Sequence, residues 1–153
     1  MDGSRLFKYR PLAYHHVTFA SKRRKKIIVG EIRERVHYWF DKVAADYKIQ
    51  LEERNTWLDH AHLLIYVGYA EDLSDMLNAL KGISARRVFQ EFPDLKMQIG
   101  ENHFWGRRFH ADEVPSEAVA GVRRYIQRQE DIHLRRAGLA PLDYWERWKD
   151  LVD

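Results

Sequence analysis

The chain has 153 residues, 45% of them hydrophobic and 32% charged, with a net charge of +3, which is typical of a globular protein and excludes a disordered one. It contains no cysteine, which excludes disulfide bonds and thiolate metal sites and fits a reducing compartment. Its first residues lack an apolar signal core, and no apolar run reaches the ~20 residues of a membrane span. We therefore expect one cytoplasmic domain over 1–153 without a membrane partner, with a core at about 14–137 and a tail at 138–153.

The hydrophobic pattern predicts a strand, a helix, two strands, a helix, an extended segment and a last helix. Apolar residues recur at helical spacing in each predicted helix, and β-branched and aromatic residues fill the predicted strands. The predicted bounds are 14–20, 31–47, 49–57, 59–67, 73–92, 103–112 and 116–136.

This order predicts the fold class. Strands two and three follow each other through a short turn, whereas the other connections are helical, which is the split βαβ arrangement of a ferredoxin-like domain. We predict an α+β, RRM-like antiparallel sheet with two helices on one face and the last helix on the other. Gly82 lies inside the predicted helix 73–92, where it costs helix stability and is expected to permit close approach of a neighbouring backbone.

The third predicted strand carries the first candidate site. Because strand side chains alternate between faces, His60 and His62 share one face, which the last helix is expected to cover. Two neutral imidazoles on a rigid strand can form half of a metal site. Taken alone, however, two polar residues on the wetter face of a strand are the better interpretation. The opposite face is lined by Ala61, Leu63, Ile65 and Val67.

The last predicted helix adds a nucleophile and a ligand. Tyr125 and Gln129 are four residues apart and therefore lie on one helix face. Tyrosine can form covalent intermediates, and a divalent cation can polarise a phosphate ester for attack. Two imidazole nitrogens with the amide oxygen of Gln129 would suit Mg²⁺ or Mn²⁺ better than zinc. Tyr125 could equally be a half-buried aromatic of an amphipathic helix, and His133 could compete with Gln129 as a ligand.

Clustered cations point to a nucleic-acid partner. Five consecutive cations span 22–26, and four arginine pairs follow, at 86–87, 107–108, 123–124 and 135–136. Basic clusters beside aromatic residues are typical of nucleic-acid-binding proteins, although any single pair could be solvated helix surface.

Taken together, these motifs resemble the single-tyrosine HUH transposases of small bacterial insertion sequences, over about residues 14–131. A lone His-x-His motif is weak, but the whole series at these separations is specific. The motifs, in the order of that family, are Tyr14-His15, the basic run 22–26, Asp59-His60-Ala61-His62-Leu63-Leu64, Leu80-Lys81-Gly82, Phe104-Trp105-Gly106-Arg107 and Arg124-Tyr125-Ile126-Gln127-Arg128-Gln129.

The resemblance implies a metal-dependent DNA strand transferase. His60, His62 and Gln129 would hold Mg²⁺ or Mn²⁺, and Tyr125 would attack a phosphodiester of single-stranded DNA, giving a 5′-phosphotyrosine link and a free 3′-hydroxyl. Such proteins act as homodimers and recognise DNA hairpins. The candidate DNA contacts are Lys22, Arg23, Arg24, Lys25, Lys26, Arg86 and Arg87.

Three other functions remain open from the sequence. A domesticated relative, such as a repeat-associated tyrosine transposase, would process palindromic repeats with the same chemistry. A non-catalytic nucleic-acid-binding module would bind DNA without a metal requirement. A metal-dependent hydrolase would use His60 and His62 with water, and its activity would survive Tyr125→Phe.

Overall fold

The computed structural model describes residues 13–69 and 71–137. The predicted tail at 138–153 lies outside the described residues. Four strands form one antiparallel sheet in the order β2-β3-β1-β4, which confirms the predicted α+β ferredoxin-like fold. The strands are β1 (Ala13–Ala20), β2 (Gln50–Trp57), β3 (His60–Val67) and β4 (His110–Val114).

Five α-helices of the described residues accompany the sheet. Asp72 accepts backbone hydrogen bonds from Ser74 and Asp75 and thereby caps the second of them. Within the described part of the chain, no helix is long and apolar enough to span a membrane. The helices are α1 (Gly30–Asp46), α2 (Leu73–Glu91), α3 (Leu95–Ile99), α4 (Val119–Gln127) and α5 (Gln129–Ala137).

The strand β3 separates two apolar clusters, as the alternation of its side chains predicts. Ala61, Leu63 and Ile65 are fully buried in the main core, together with residues of α1 and α2. Leu64, on the opposite face, packs against Val114 and against Ile126 of α4. The two long helices therefore cover one face of the sheet and α4 covers the face that carries the histidines.

The segment predicted to be extended at 103–112 is largely irregular, so that prediction is wrong for its first part. Phe104 and Trp105 are both buried, at 1% and 6% exposure, whereas consecutive strand residues would point to opposite faces. Trp105 forms only an isolated bridge with Ser21, and the regular strand begins at His110. The short helix α3, just before this segment, was not predicted.

The last helix is broken, where the sequence predicted a continuous one. A 3₁₀ turn at Ser116–Ala118 precedes α4, and Arg128 separates α4 from α5 with a non-helical backbone. The side-chain amide of Asn55, on β2, donates to the backbone oxygen of Ile126 over 2.8 Å. Because a side chain thus occupies a carbonyl at the end of α4, the regular hydrogen-bond ladder is interrupted there.

Candidate active site

Strand β3 places the two predicted histidines side by side on the face covered by α4. Their ring centroids lie 4.9 Å apart, with the rings nearly perpendicular. His62 is buried, at 7% exposure, while His60 is half-buried beside an open cavity of about 540 Å³. The same cavity is lined by Tyr125 and Gln129, so the structure brings all four predicted site residues to one place.

Asp59 orients the ring of His60. One oxygen of its carboxylate lies 2.7 Å from His60 Nδ1, and the other lies 3.5 Å from Arg24 Nε. Burial raises the pKa of Asp59, but the hydrogen bond and charge of His60, with Arg24, outweigh burial and hold that pKa below its usual value. An ionised carboxylate only accepts hydrogen bonds, so Nδ1 of His60 carries a proton and Nε2 is the ring nitrogen that Asp59 does not engage.

His16, on β1, orients the ring of His62 in a similar way. Its Nε2 lies 3.0 Å from His62 Nδ1, and the two rings are stacked. Burial, followed by the charges of His60, His16 and His133, lowers the pKa of His62 to about 3. Burial is also the main cause that lowers the pKa of His16. Both rings are therefore neutral near pH 7, and in the tautomer in which His62 Nδ1 donates to His16 Nε2, Nε2 of His62 is left for a ligand.

Helix α4 places Tyr125 over these histidines. The centroid of its ring lies 5.8 Å from that of His62 and 5.9 Å from that of His16, with edge-to-face geometry. The side chain of Tyr125 is 43% exposed, so the hydroxyl group remains accessible to a large substrate. A phenol beside neutral imidazoles in an open cavity is a suitable arrangement for nucleophilic attack.

Gln129 lies on the far side of the break between α4 and α5. It is 1% exposed, and its Nε2 donates to the backbone oxygen of Tyr125 over 3.1 Å. This hydrogen bond leaves Oε1 as a potential cation ligand. His133 follows one turn later, stacks on Trp57 with 4.8 Å between centroids, and lies 5.2 Å from the ring of His60.

Helix α4 is docked on the sheet of its own chain. Ile126 is fully buried, and Asn55 donates to the backbone oxygens of Ile126 and Gln127. Arg123 pairs with Glu52 over 3.0 Å at the edge of this contact. In this conformation the tyrosine and the two histidines of one chain therefore line the same cavity.

The donor chemistry of the site fits a divalent cation. The side chains of His60 and His62, which offer imidazole nitrogens, and of Gln129, which offers an amide oxygen, line one cavity, and second partners contact both rings. Among residues 13–69 and 71–137 no group of three or more His, Cys, Asp or Glu side chains could hold a metal ion. The predicted set includes only two such side chains, because its third donor is an amide.

The predicted DNA contacts differ in their environments. Arg24 lines the cavity of the histidines. Lys25 donates to the backbone oxygen of Ile99 over 2.7 Å, and Arg23 pairs with Glu101. Lys22, Lys26, Arg86 and Arg87 belong to the same predicted set and do not line this cavity.

The chain is similar to several transposases. The model of the family described as "Transposase IS200 like" matches residues 9–129. Over 117 residues the chain is 28% identical to the ISDra2 transposase TnpA of Deinococcus radiodurans, covering 76% of this chain and 84% of that protein. Over 115 residues it is 29% identical to the transposase for insertion sequence element IS200 of Salmonella typhimurium, covering 75% of each.

The chain belongs to the IS200-like transposase family.

Two solved structures share the fold of this transposase. A crystal structure of a Deinococcus radiodurans protein assigned as a transposase matches with a TM-score of 0.63 and 28% identity, over 79% of this chain and 93% of that one. A REP-associated tyrosine transposase bound to a REP hairpin matches with a TM-score of 0.60, over 82% and 70% of the two chains. The identity to the second structure is 15%, so that likeness concerns the fold alone.

Sequence reasoning assigned no role in the transposase site to His16 or Asp59. The sequence did contain a signal for His16, because it lies two residues before Thr18 on β1 and therefore on the same face. Thr18 lies opposite His62 in the strand register. Reading that signal required knowing that β1 and β3 are neighbours in the sheet. Asp59 belongs to the motif that contains His60 and His62, but its contact with His60 depends on side-chain conformation.

Proposed function

We propose that this transposase cleaves and rejoins single-stranded DNA with Tyr125 as the nucleophile. The observation that supports this most strongly is the position of Tyr125, whose exposed ring lies 5.8 Å from that of His62 above a cavity shared with His60 and Gln129. A mobile-element role is supported by the relatives, which are named as transposases of insertion sequences.

In the proposed reaction, the phenol oxygen of Tyr125 attacks the phosphorus of a DNA phosphodiester. A Tyr125–phosphorus bond forms at the 5′ side, the bond from phosphorus to the 3′ oxygen breaks, and the phenol proton ends on the released 3′-hydroxyl by way of solvent. Attack of a 3′-hydroxyl on the phosphotyrosine reverses these steps and rejoins the strands. The phosphotyrosine ester retains the energy of the original bond, so no nucleotide cofactor is required.

His60, His62 and Gln129 would hold the Mg²⁺ or Mn²⁺ ion in this proposal. A divalent cation bound there would polarise the phosphate and stabilise charge on its oxygens. The protein's own contribution is orientation, since Asp59 fixes the ring of His60 and His16 fixes the ring of His62. Arg24, also in the cavity, would bind a phosphate oxygen of the strand.

We further propose that the chain acts as a single domain and assembles as a homodimer on DNA with hairpin ends. The one continuous sheet, covered on both faces, supports a single domain. A hairpin substrate is supported by the REP-associated transposase of similar fold, which is described as bound to a REP hairpin.

A covalent-trapping assay tests the proposal. Purified protein is incubated with labelled single-stranded hairpin DNA from the flanks of its gene, with Mn²⁺ or with EDTA, and separated on a denaturing gel. We expect a metal-dependent protein–DNA adduct that disappears in Tyr125→Phe. Tyr47→Phe, which changes another exposed tyrosine at 58% exposure, is the matched control and should retain the adduct.

Two results would contradict the proposal. Cleavage that persists in Tyr125→Phe without an adduct would indicate a hydrolase that uses water. DNA binding without cleavage on the correct site, with or without metal, would indicate a binding module.

A further inference from the structure

A second cavity, of about 660 Å³, lies between α2 and the irregular segment before β4. Its volume falls within the range of roughly 300–1,000 Å³ that is usual for small-molecule sites. None of the proposed catalytic or metal-binding residues lines it. It is therefore separate from the cavity that holds Tyr125, and the proposed chemistry gives it no role.

Gly82 leaves space in the wall of this second cavity. It lies in the middle of α2, where glycine is less favourable than alanine. Apart from its chain neighbours and the adjacent backbone of its own helix, a Cβ atom added at Gly82 would meet no described atom within 4 Å, so the expected close approach of a neighbouring backbone is wrong for the described chain. The packing of the described residues gives no reason for glycine here, whereas a ligand in the cavity would.

The lining of the second cavity combines cations with aromatic rings. Arg86 is exposed there and forms no hydrogen bond or ion pair with the described residues. Lys96 Nζ lies 5.0 Å from the centroid of the Phe89 ring, and Phe89 packs edge-to-face on Phe104. Within the described chain no carboxylate lines this cavity. Cations beside aromatic rings bind the phosphates and bases of single-stranded nucleic acids.

One segment of chain connects this cavity to the active site. Lys81 Nζ donates to the backbone oxygen of Gly106 over 2.7 Å and lies 3.4 Å from that of Arg108. Gly106 lines the second cavity, whereas Arg108 and Phe109 line the cavity of Tyr125. A DNA strand that leaves the active site over Arg108 would therefore reach the second cavity along this segment.

We propose that the second cavity is a nucleotide subsite for the same single strand. It would take one unpaired nucleotide outside the scissile linkage, with the base against Phe89 and a phosphate between Arg86 and Lys96. This inference rests on the proposed function, because it requires a single-stranded DNA substrate. It assigns Gly82 a role, which is to leave room for the base.

Equilibrium binding tests the subsite separately from the chemistry. In a Tyr125→Phe background, affinity for a fluorescein-labelled, mixed-sequence single-stranded DNA is measured by anisotropy. Gly82→Leu fills the cavity and should weaken binding about tenfold, the loss expected when one base no longer stacks. Arg86→Gln should weaken binding and reduce the salt dependence by about one phosphate contact, a slope of ~0.7.

Asn78→Leu is the matched control for Gly82→Leu. Asn78 is exposed one turn earlier on α2 and does not line the cavity, so DNA affinity should not change. Thermal melts of all variants check that the fold is retained. Lys42→Gln, which removes an exposed cation of α1, controls for the loss of one charge in Arg86→Gln.

The outcomes separate the two proposals. If the wild-type chain forms the Tyr125 adduct but a folded Gly82→Leu and Arg86→Gln bind DNA as tightly as their controls, the subsite is refuted and the proposed function stands. If both variants weaken DNA binding but no adduct ever forms, the subsite is supported and the proposed chemistry fails.

Discussion

Asn55 connects the position of the tyrosine helix to the sheet. Its Nδ2 donates to the backbone oxygens of Ile126 over 2.8 Å and of Gln127 over 3.3 Å. Its Oδ1 accepts from Arg33 and from the backbone nitrogen of Thr56. The substitution Asn55→Asp keeps the acceptor and removes both donors, so it selectively weakens the docking of α4.

The expected cost follows from these contacts. Two neutral hydrogen bonds contribute about 0.5–1.5 kcal/mol each. The new carboxylate would also face carbonyl oxygens at the C-terminal end of α4, which adds a repulsion of about 0.3–1 kcal/mol. The docked position of α4 should thus be destabilised by about 2–3 kcal/mol. Since ~1.4 kcal/mol corresponds to a factor of ten, adduct formation should slow by up to roughly 30- to 140-fold.

The rate of adduct formation and the urea midpoint are measured together. In Asn55→Asp the ion pair gained with Arg33 should offset part of the lost hydrogen-bond energy. The free energy of unfolding should therefore fall by less than the free-energy equivalent of the decrease in rate. Gln127→Ala removes only the exposed contact with Glu53 and should change the rate little. A wild-type rate in a folded Asn55→Asp variant would refute the idea that docking on the chain's own sheet positions Tyr125.

Three further predictions concern the same structure. Asp59→Asn should weaken Mn²⁺ binding by about 10- to 100-fold, measured by titration with electron paramagnetic resonance, because the carboxylate that orients His60 is lost. Ile126→Ala should lower the free energy of unfolding by about 2–5 kcal/mol in urea, because the side chain is fully buried. Burial, reinforced by two nearby arginines, lowers the pKa of His37 to about 3, so the folded chain keeps this ring neutral while the unfolded chain protonates below about pH 6.5. The neutral His37 ring therefore leaves the free energy of unfolding unaffected above pH 6.5, and this free energy falls by ~1.4 kcal/mol per pH unit from pH 6.5 towards pH 3. His37→Gln should reduce the measured slope of unfolding free energy against pH by that amount.

The regular elements could be predicted because their signals are local. Alternation along β3 places Ala61, Leu63 and Ile65 on one face and the histidines on the other, and the structure agrees. The order of the elements then restricted the sheet to very few topologies, which include the observed one. The predicted topology, together with the whole series of motifs, suggested that His60, His62, Tyr125 and Gln129 share a site.

Other features were set by contacts between distant parts of the chain. At the break near Arg128, the backbone oxygen of Ile126 accepts a hydrogen bond from Asn55, which lies 71 residues away in the chain. The segment before β4 is irregular because Phe104 and Trp105 are both buried in the core. An alternating pattern predicts opposite faces for two consecutive residues and therefore does not predict this.

The sequence by itself indicated the fold class, because strand alternation and helix period are encoded by near neighbours. Its series of motifs indicated the family and the residues proposed to carry the chemistry. Only the tertiary structure decided which partners orient those residues. His16 reaches His62 because β1 and β3 are adjacent, and Tyr125 reaches both because Ile126 is buried against Leu64. Such contacts depend on how whole elements pack, and no short stretch of sequence specifies that.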